Sequence, residues 1–440
     1  EIRANATFDG GTATFLTSAL GNGATNGASV LRINGGTVGL GSYTSQRDGS
    51  NGFNTTGGLV INGGTVTATS VQVSTGNSWS NMNITGGSLE IGTVASDGAF
   101  FLGGGTANER GGRLNMTGGS LTYLGVDGLV LNRSTGRSLG VANFTGGTAN
   151  LSGITLNAAT ATQGSSTLTV NGGTVYLGAV GLQANITAAT ASVTLNGGTL
   201  GALAPWTGNA DLGLGANGVT LQAGDAANSP HDISLVGLLT GNGTLTKTGA
   251  GKLTLGGANN TYTGATVVNS GMLLLSGAIS GTTSVTVNNA SLQLGRADAI
   301  NDAAGVTLGA ATFQTGGFSE SVGALTLALA STLDLGAGAS VLRFLDSSTA
   351  TWNGTLSITN WSGSTSGGGT DQLFFGTTAS GLSASQLSAV QFIDPNGISG
   401  IFSATMLSSG EVIAAVPEPG AFLSLLTGGG LLLGFRRRRA

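Results

Sequence analysis

The one histidine of the chain, His231, lies in the stretch Gly224-Asp225-Ala226-Ala227-Asn228-Ser229-Pro230-His231-Asp232. Asp225, His231 and Asp232 are the residue types that general acid–base chemistry requires, such as proton transfer at a glycosidic bond. The competing reading is a solvated loop whose polar side chains satisfy their own backbone. Two other patterns have catalytic spacing. Gly136-Arg137-Ser138-Leu139-Gly140 satisfies the G-x-S-x-G form of a nucleophile elbow, which needs a strand-to-helix turn in an α/β sheet and a downstream acid and His. No α/β pattern surrounds it. Gly213-Leu214-Gly215-Ala216-Asn217-Gly218 has the spacing of a dinucleotide loop but leads into the alternating stretch Val219-Thr220-Leu221, not a helix. Both are expected by chance in a chain with 81 glycines. Cysteine is absent and acidic residues do not recur in phase, so neither a thiolate site nor a calcium-loop array is implied. The expectation is no cofactor, no metal and no enzyme, with a polysaccharide-degrading lyase or hydrolase at Asp225, His231 and Asp232 as the alternative.

The elements that would position these residues are read from a recurring phrase. In Leu168-Thr169-Val170-Asn171-Gly172-Gly173-Thr174-Val175-Tyr176-Leu177, apolar and polar residues alternate, a Gly-Gly pair intervenes, and the alternation resumes. Alternation at period two is the mark of a strand with one buried face. Gly-Gly supplies positive φ at the corner, and Asn tolerates it. The phrase recurs at Asp9-Gly10-Gly11-Thr12, Asn34-Gly35-Gly36-Thr37, Asn62-Gly63-Gly64-Thr65, Thr85-Gly86-Gly87-Ser88, Thr117-Gly118-Gly119-Ser120, Thr145-Gly146-Gly147-Thr148 and Asn196-Gly197-Gly198-Thr199. The mean period is about 27 residues, within the range of stacked-coil architectures. Further short apolar runs such as Ser70-Val71-Gln72-Val73 and Gly153-Ile154-Thr155-Leu156 give each repeat two or three strands. No helical period with caps precedes residue 420. The expected fold is all-β: an elongated right-handed parallel β-helix over roughly 1–340, its corner Asn or Thr stacking into a ladder. A long antiparallel array or sandwich is the alternative. Parallel β-helices do host polysaccharide lyases and hydrolases, which keeps the 225–232 loop under consideration.

Composition narrows the partners. Hydrophobic residues make up 40% and charged residues only 8%, a balance opposed to disorder. Four of the 15 basic residues form one run, Arg436 to Arg439, so the rest is more acidic than the formal net charge of −4 implies. Such a body repels phosphate backbones, which excludes a charge-driven nucleic-acid partner. Glu1 begins almost inside a repeat with no preceding basic and apolar leader, so a mature form or a fragment is expected.

The Gly-Gly phase is lost between Pro205-Trp206 and Ile233. Then come Gly241-Asn242-Gly243-Thr244-Leu245-Thr246-Lys247-Thr248-Gly249-Ala250-Gly251-Lys252-Leu253-Thr254-Leu255-Gly256 and Asn260-Thr261-Tyr262-Thr263-Gly264-Ala265-Thr266-Val267-Val268-Asn269-Ser270-Gly271-Met272-Leu273. Leu245, Leu253, Leu255, Val267, Leu273 and Leu275 mark the apolar face, with Lys247 and Lys252 at polar positions. This stretch resembles the autotransporter-associated β-strand repeat of large bacterial surface proteins. It departs from the family in the extra Asn259 and in Met272, where Thr is frequent. The resemblance implies parallel β-helix coils on an exported protein. From about Ser340 the texture changes: Phe344, Trp352, Trp361, Phe374, Phe375, Phe392 and Phe402 cluster there. Solenoids need atypical ends, so 341–415 is read as a β-rich cap with a flexible loop from Ser362 to Thr370. The tryptophans are read as core rather than carbohydrate platforms. The expected organisation is 1–236 Gly-Gly coils, 237–340 the autotransporter-associated repeat and following coils, 341–415 cap and 416–440 tail.

The tail begins Val416-Pro417-Glu418-Pro419, continues through the apolar run Ala421 to Phe435, and ends Arg436-Arg437-Arg438-Arg439-Ala440. As a helix the fifteen-residue run reaches ~22 Å, short of a ~30 Å hydrocarbon core. Its three consecutive glycines weaken it further, and the arginines hold its end on the cytoplasmic side. It is a poor permanent anchor and a suitable temporary one. These residues resemble the PEP-CTERM sorting signal. The resemblance implies an exosortase-type membrane enzyme that cuts near Pro417-Glu418-Pro419, transient residence in the inner membrane through 421–435, and release to the envelope or extracellular matrix. Extracellular polysaccharide and other surface proteins are the candidate partners, and the adhesion target is left open between a glycan, a protein and further copies of the chain.

Overall fold

A computed structural model of the chain describes residues 5–20, 29–45, 58–74, 79–92, 100–104, 110–159, 161–185 and 189–416. The chain divides into two compact units, Glu1–Ala304 and Gly305–Ala440.

The first unit is an all-β parallel solenoid with three strands per coil. One coil is Ser165–Val170, the first part of Thr174–Ala184, and that strand's continuation past the next corner. The next coil repeats it with Thr190–Leu195, Thr199–Ala202 and Trp206–Gly208. Each strand pairs in parallel with its counterpart one coil on, for example Ser165↔Thr190 through Val170↔Leu195. Inward positions stack into continuous apolar columns. Phe8, Ile33, Ile61, Ile84, Met116, Phe144, Val170, Leu195 and Leu214 are successive register partners. From Ile33 onward every member of that column is buried. Each such aliphatic side chain contributes about 1.5–3 kcal/mol through removal from water.

Two corners explain the repeat. At the Gly-Gly corner the two glycines do different jobs. Gly147 has φ 74°, a left-handed conformation that L side chains adopt only with strain. A Cβ on Gly146 would run into the carbonyl oxygen of Thr117 on the preceding coil, so this glycine sets how closely coils stack. The corner after the third strand uses one left-handed residue instead: Ser74 (φ 67°), Gly103 (φ 80°), Asn132 (φ 59°) and Asn157 (φ 59°) in successive coils. Asn132 and Asn157 are fully buried. Asn132 Nδ2 donates to Asn157 Oδ1 at 2.9 Å and to Gln163 O at 3.0 Å, and Asn157 Nδ2 donates to Thr190 O at 3.0 Å. Buried amides are tolerated because they are satisfied in this way.

The expected corner ladder is present. Asn34 Nδ2 donates to Asp9 Oδ1 at 2.7 Å, Asn62 Nδ2 to Asn34 Oδ1 at 2.8 Å, and Thr85 Oγ1 to Asn62 Oδ1 at 2.8 Å. Farther along, Asn196 Nδ2 donates to Asn171 Oδ1 at 3.0 Å. The loss of Gly-Gly phase after Pro205 does not interrupt the coils: Trp206–Gly208 pairs in parallel with Ile233–Leu235, and the intervening excess is looped out.

The second unit stacks further parallel strands, among them Ser331–Asp334 on Leu356–Thr359 and the latter on Val390–Ile393. There the pairing changes sign. Ile401–Met406 runs antiparallel to Val390–Ile393, and Val412–Ala414 antiparallel to Ile401–Met406. The aromatic residues fill this unit's interior: Phe344 stacks on Phe375 with centroids 5.1 Å apart, and Trp361 meets Phe392 edge-on at 5.0 Å. Trp361 is buried, and the half-buried Trp352 donates its indole N–H to Leu325 O at 2.9 Å. One short helix, Ala384–Ser388, departs from the all-strand expectation and is fixed by a capping box of Ser383 and Gln386.

Candidate functional site

In the 224–232 loop both carboxylates satisfy backbone N–H groups, and the charge of His231 acts on Asp225. Gly224 and Pro230 close the loop as an antiparallel bridge, and Asn228 turns it at φ 63°. Asp225 Oδ1 accepts the Ser229 N–H at 2.8 Å. That bond holds the Asp225 carboxyl below its usual range, since it favours the charged form. Asp232 faces the next coil: Oδ1 accepts the Lys252 N–H at 2.8 Å, and Oδ2 lies 3.6 Å from Lys252 Nζ. Ser138 of the G-x-S-x-G pattern is buried and opens the strand Ser138–Leu156 instead of sitting on an elbow. The Gly213 to Gly218 pattern joins two strands, Leu212–Leu214 and Val219–Gln222. Among the described residues, no three His, Cys, Asp or Glu come together as a metal site.

The most unusual chemistry of the first unit is a set of buried polar groups in the coils that follow. Lys247 does not occupy the outward polar position expected for it. In Leu245–Thr248 the buried residues are Leu245 and Lys247, and Lys247 is fully enclosed. Its ammonium donates to the carbonyls of Thr248 (3.0 Å), Gly249 (2.6 Å), Gly251 (2.7 Å) and Ser270 (2.9 Å). Two coil corners are thereby tied to one cation. Burial lowers its pKa to about 8, with Asp232 acting in the opposite direction. Lys252, by contrast, is outward as expected. Asn260 is also buried: Oδ1 accepts the Leu239 N–H at 2.9 Å, and Nδ2 donates to Gly257 O (3.1 Å) and Ala278 O (2.9 Å). Tyr262, Thr266 and Thr282 form a buried hydroxyl chain with spacings of 2.6 and 3.0 Å. Asn260 closes a corner beside the pair Gly256-Gly257, whereas Lys247 closes the corner Gly249-Ala250-Gly251.

Residues 245–275 match the family model of the passenger-associated-transport-repeat. The match overlaps the stretch from Gly241 to Leu273 whose resemblance is read from the sequence, and Lys247, Asn260, Tyr262 and Thr266 lie within it. The chain is also similar to the adhesin BmaC autotransporter of Brucella suis biovar 1 (strain 1330), at 33% identity over 120 residues. That segment is 27% of this chain, and the chain spans 3% of the length of that relative. No solved structure matches the chain.

Apart from the repeat, the first unit carries a groove of about 640 Å³ across the outer face of one sheet, lined by apolar residues such as Val30 and Val60 as well as polar ones. Its lining includes Arg32, Asn62, Asn81, Asn83, Arg113 and Asn115. Register places Arg32 beside Val60, Val60 beside Asn83 and Asn83 beside Asn115, with Asn81 beside Arg113 in the neighbouring row. Sequence reading missed it, because Val60 interrupts the outward Arg and Asn positions of successive coils.

Of the sorting residues, Val416 is the last one described. Pro417, Glu418, Pro419, the apolar run 421–435 and Arg436, Arg437, Arg438 and Arg439 lie outside the described residues. Among the described residues, no helix is long and apolar enough to cross a membrane.

Proposed function

We propose that this chain is an exported, adhesin-like surface protein whose parallel coils act as a display scaffold, and that its outer faces rather than a catalytic pocket do the work. The observation that carries this reading is the use of the ionisable groups. Asp225 and Asp232 cap backbone, and Lys247 holds coil corners together. The chemistry left facing solvent is periodic amides and hydroxyls. The passenger-associated-transport-repeat at 245–275 and the adhesin relative support it.

Delivery in this proposal runs through the tail. Arg436 to Arg439 resist translocation, the short run 421–435 halts in the inner membrane, and an exosortase-type enzyme cuts near Pro417-Glu418-Pro419. Mass spectrometry of the chain recovered from the envelope or medium of its native host tests this route. Mature molecules ending near Val416 are expected. Molecules that mostly retain Leu431 to Ala440 would reduce the tail to a plain anchor.

A further inference from the structure

We infer that the peptide bond between Asp394 and Pro395 is a self-cleavage site, at which the Asp394 carboxylate attacks its own main chain. The inference is independent of the adhesin-like reading and concerns how the body parts from its tail.

Asp394-Pro395 is the one Asp-Pro pair in the chain. It lies in the connection between the antiparallel strands Val390–Ile393 and Ile401–Met406. Asp394 has φ 50° and ψ 46°, in the left-handed region. Aspartate visits that region more readily than most residues. A residue before proline is nevertheless driven to extended backbone, because the proline Cδ crowds its N–H and Cβ. Such a conformation persists only where the surroundings over-determine it. Here the Asp394 N–H donates to Gly400 O at 2.9 Å, and Asp394 Oδ1 accepts the Gly400 N–H at 2.7 Å. On the other side of the bond Pro395 is buried. Next to it, Asn396 donates its N–H to Trp361 O at 2.9 Å and Nδ2 to Gly363 O at 3.0 Å.

The groups that cleavage needs meet at this bond. A side-chain carboxylate one carbon from the main chain closes a five-membered ring on its own carbonyl carbon. The scissile carbonyl, Asp394 O, accepts the Gly397 N–H at 3.1 Å. That donor is aimed at the oxygen that gains charge as the carboxylate adds. The proline nitrogen is tertiary and takes a proton more readily than an ordinary amide, which makes it the better leaving group. Asp394 is exposed, so water reaches it. In the first step a carboxylate oxygen bonds to the Asp394 carbonyl carbon, the bond from that carbon to the Pro395 nitrogen breaks, and the nitrogen takes a proton from water. In the second, water opens the resulting cyclic anhydride and restores the Asp394 side chain beside a new main-chain carboxylate. One water is consumed, and nothing is oxidised or reduced. Breaking the bond also frees Asp394 from the restriction proline imposes, so the strain held by the fold is released in the reacting step. The pairs Gln391↔Ser403, Phe392↔Phe402 and Ile393↔Ile401 still join the two pieces. The cut therefore replaces the covalent link between body and tail with a strand pairing.

The test is incubation of the purified full chain in mildly acidic buffer, followed by mass spectrometry under denaturing conditions. Wild type should yield a piece ending at Asp394 and one beginning at Pro395, at least about tenfold faster when folded than when unfolded in urea at the same pH. The rate should not change on dilution, because the reaction is intramolecular. Asp394→Ala should stay intact. Should that variant not fold, Pro395→Ala carries the test: it keeps the carboxylate, lifts the pre-proline restriction and supplies a poorer leaving group. It should slow the cut at least about tenfold. An uncut wild type, a cut no faster in the folded chain than in urea, a rate that falls on dilution, or an unchanged rate in either variant would each overturn the inference.

Discussion

Two stretches of the first unit build the same three-stranded coil by opposite means. At the Gly-Gly corners the hydrogen-bonding side chains lie outside, joining residues 25–28 positions apart, and only the corner after the third strand buries amides, Asn132 and Asn157. Glycine removes every atom that would hold the coils apart. Around the passenger-associated-transport-repeat the partners are 18–23 positions apart, and an outer Asn269–Asn288 bond is joined by polar groups inside. Lys247 alone lies within hydrogen-bond distance of four carbonyls, which share its three N–H donors. A shorter coil makes tighter corners whose carbonyls converge inward, and a long side chain with three N–H donors fills that space better than an aliphatic one. The first solution is modular and leaves the outer surface polar. The second is specific and concentrates stability in a few side chains.

The sharpest way to break this contrast is Lys247→Met. It keeps the apolar stem and removes the donors, leaving converging carbonyls without their cation; a loss of about 2–4 kcal/mol is expected, measured by chemical denaturation. A loss below about 1 kcal/mol would place the stability of these coils elsewhere.

The Gly-Gly solution is tested by one substitution at two equivalent corners. Gly147→Ala meets both a positive φ and the Gly119 carbonyl of the preceding coil, whereas Gly11→Ala has φ 84° and nothing within 4 Å. The first should cost about 2–3 kcal/mol and the second about 1. Equal costs would show that φ alone, and not coil stacking, selects the glycine.

The outer ladder is worth less. Asn62→Ala removes two exposed side-chain bonds and should cost about 1 kcal/mol. The smallest effect is at the looped-out segment. Because the folded state holds Asp225 below the carboxyl's ordinary value, its contribution is present above that value and is lost as the pH falls through the lowered one. Asp225→Asn should therefore flatten the acid limb of a stability–pH profile while leaving the midpoint at pH 7 nearly unchanged. A flattening on the alkaline side would contradict the assignment.

The coil architecture was legible because period-two alternation and the Gly-Gly corner are local signals, each visible in Leu168 to Leu177. Lys247 was misplaced for an instructive reason. The alternation Leu245, Thr246, Lys247 puts Leu245 and Lys247 on the same face, and residue type was allowed to override period. The cost of burying an ammonium is normally a sound ground for that choice, but here it is offset by carbonyls contributed by Gly249, Gly251 and Ser270, which only the fold brings together. The short helix at Ala384–Ser388 was signalled by Ser383 and Gln386 at capping-box spacing. The groove was not legible, because Arg32 and Arg113 come to line one surface only through the register of the coils between them.

The central claim is that the chain attaches its cell to something outside it, and the most direct measurement compares attachment of native-host cells with and without the chain. Loss of attachment on deletion, restored by the intact chain and accompanied by its digestion when protease is added to whole cells, is the predicted result. Unchanged attachment, with the chain protected from external protease, would contradict the account.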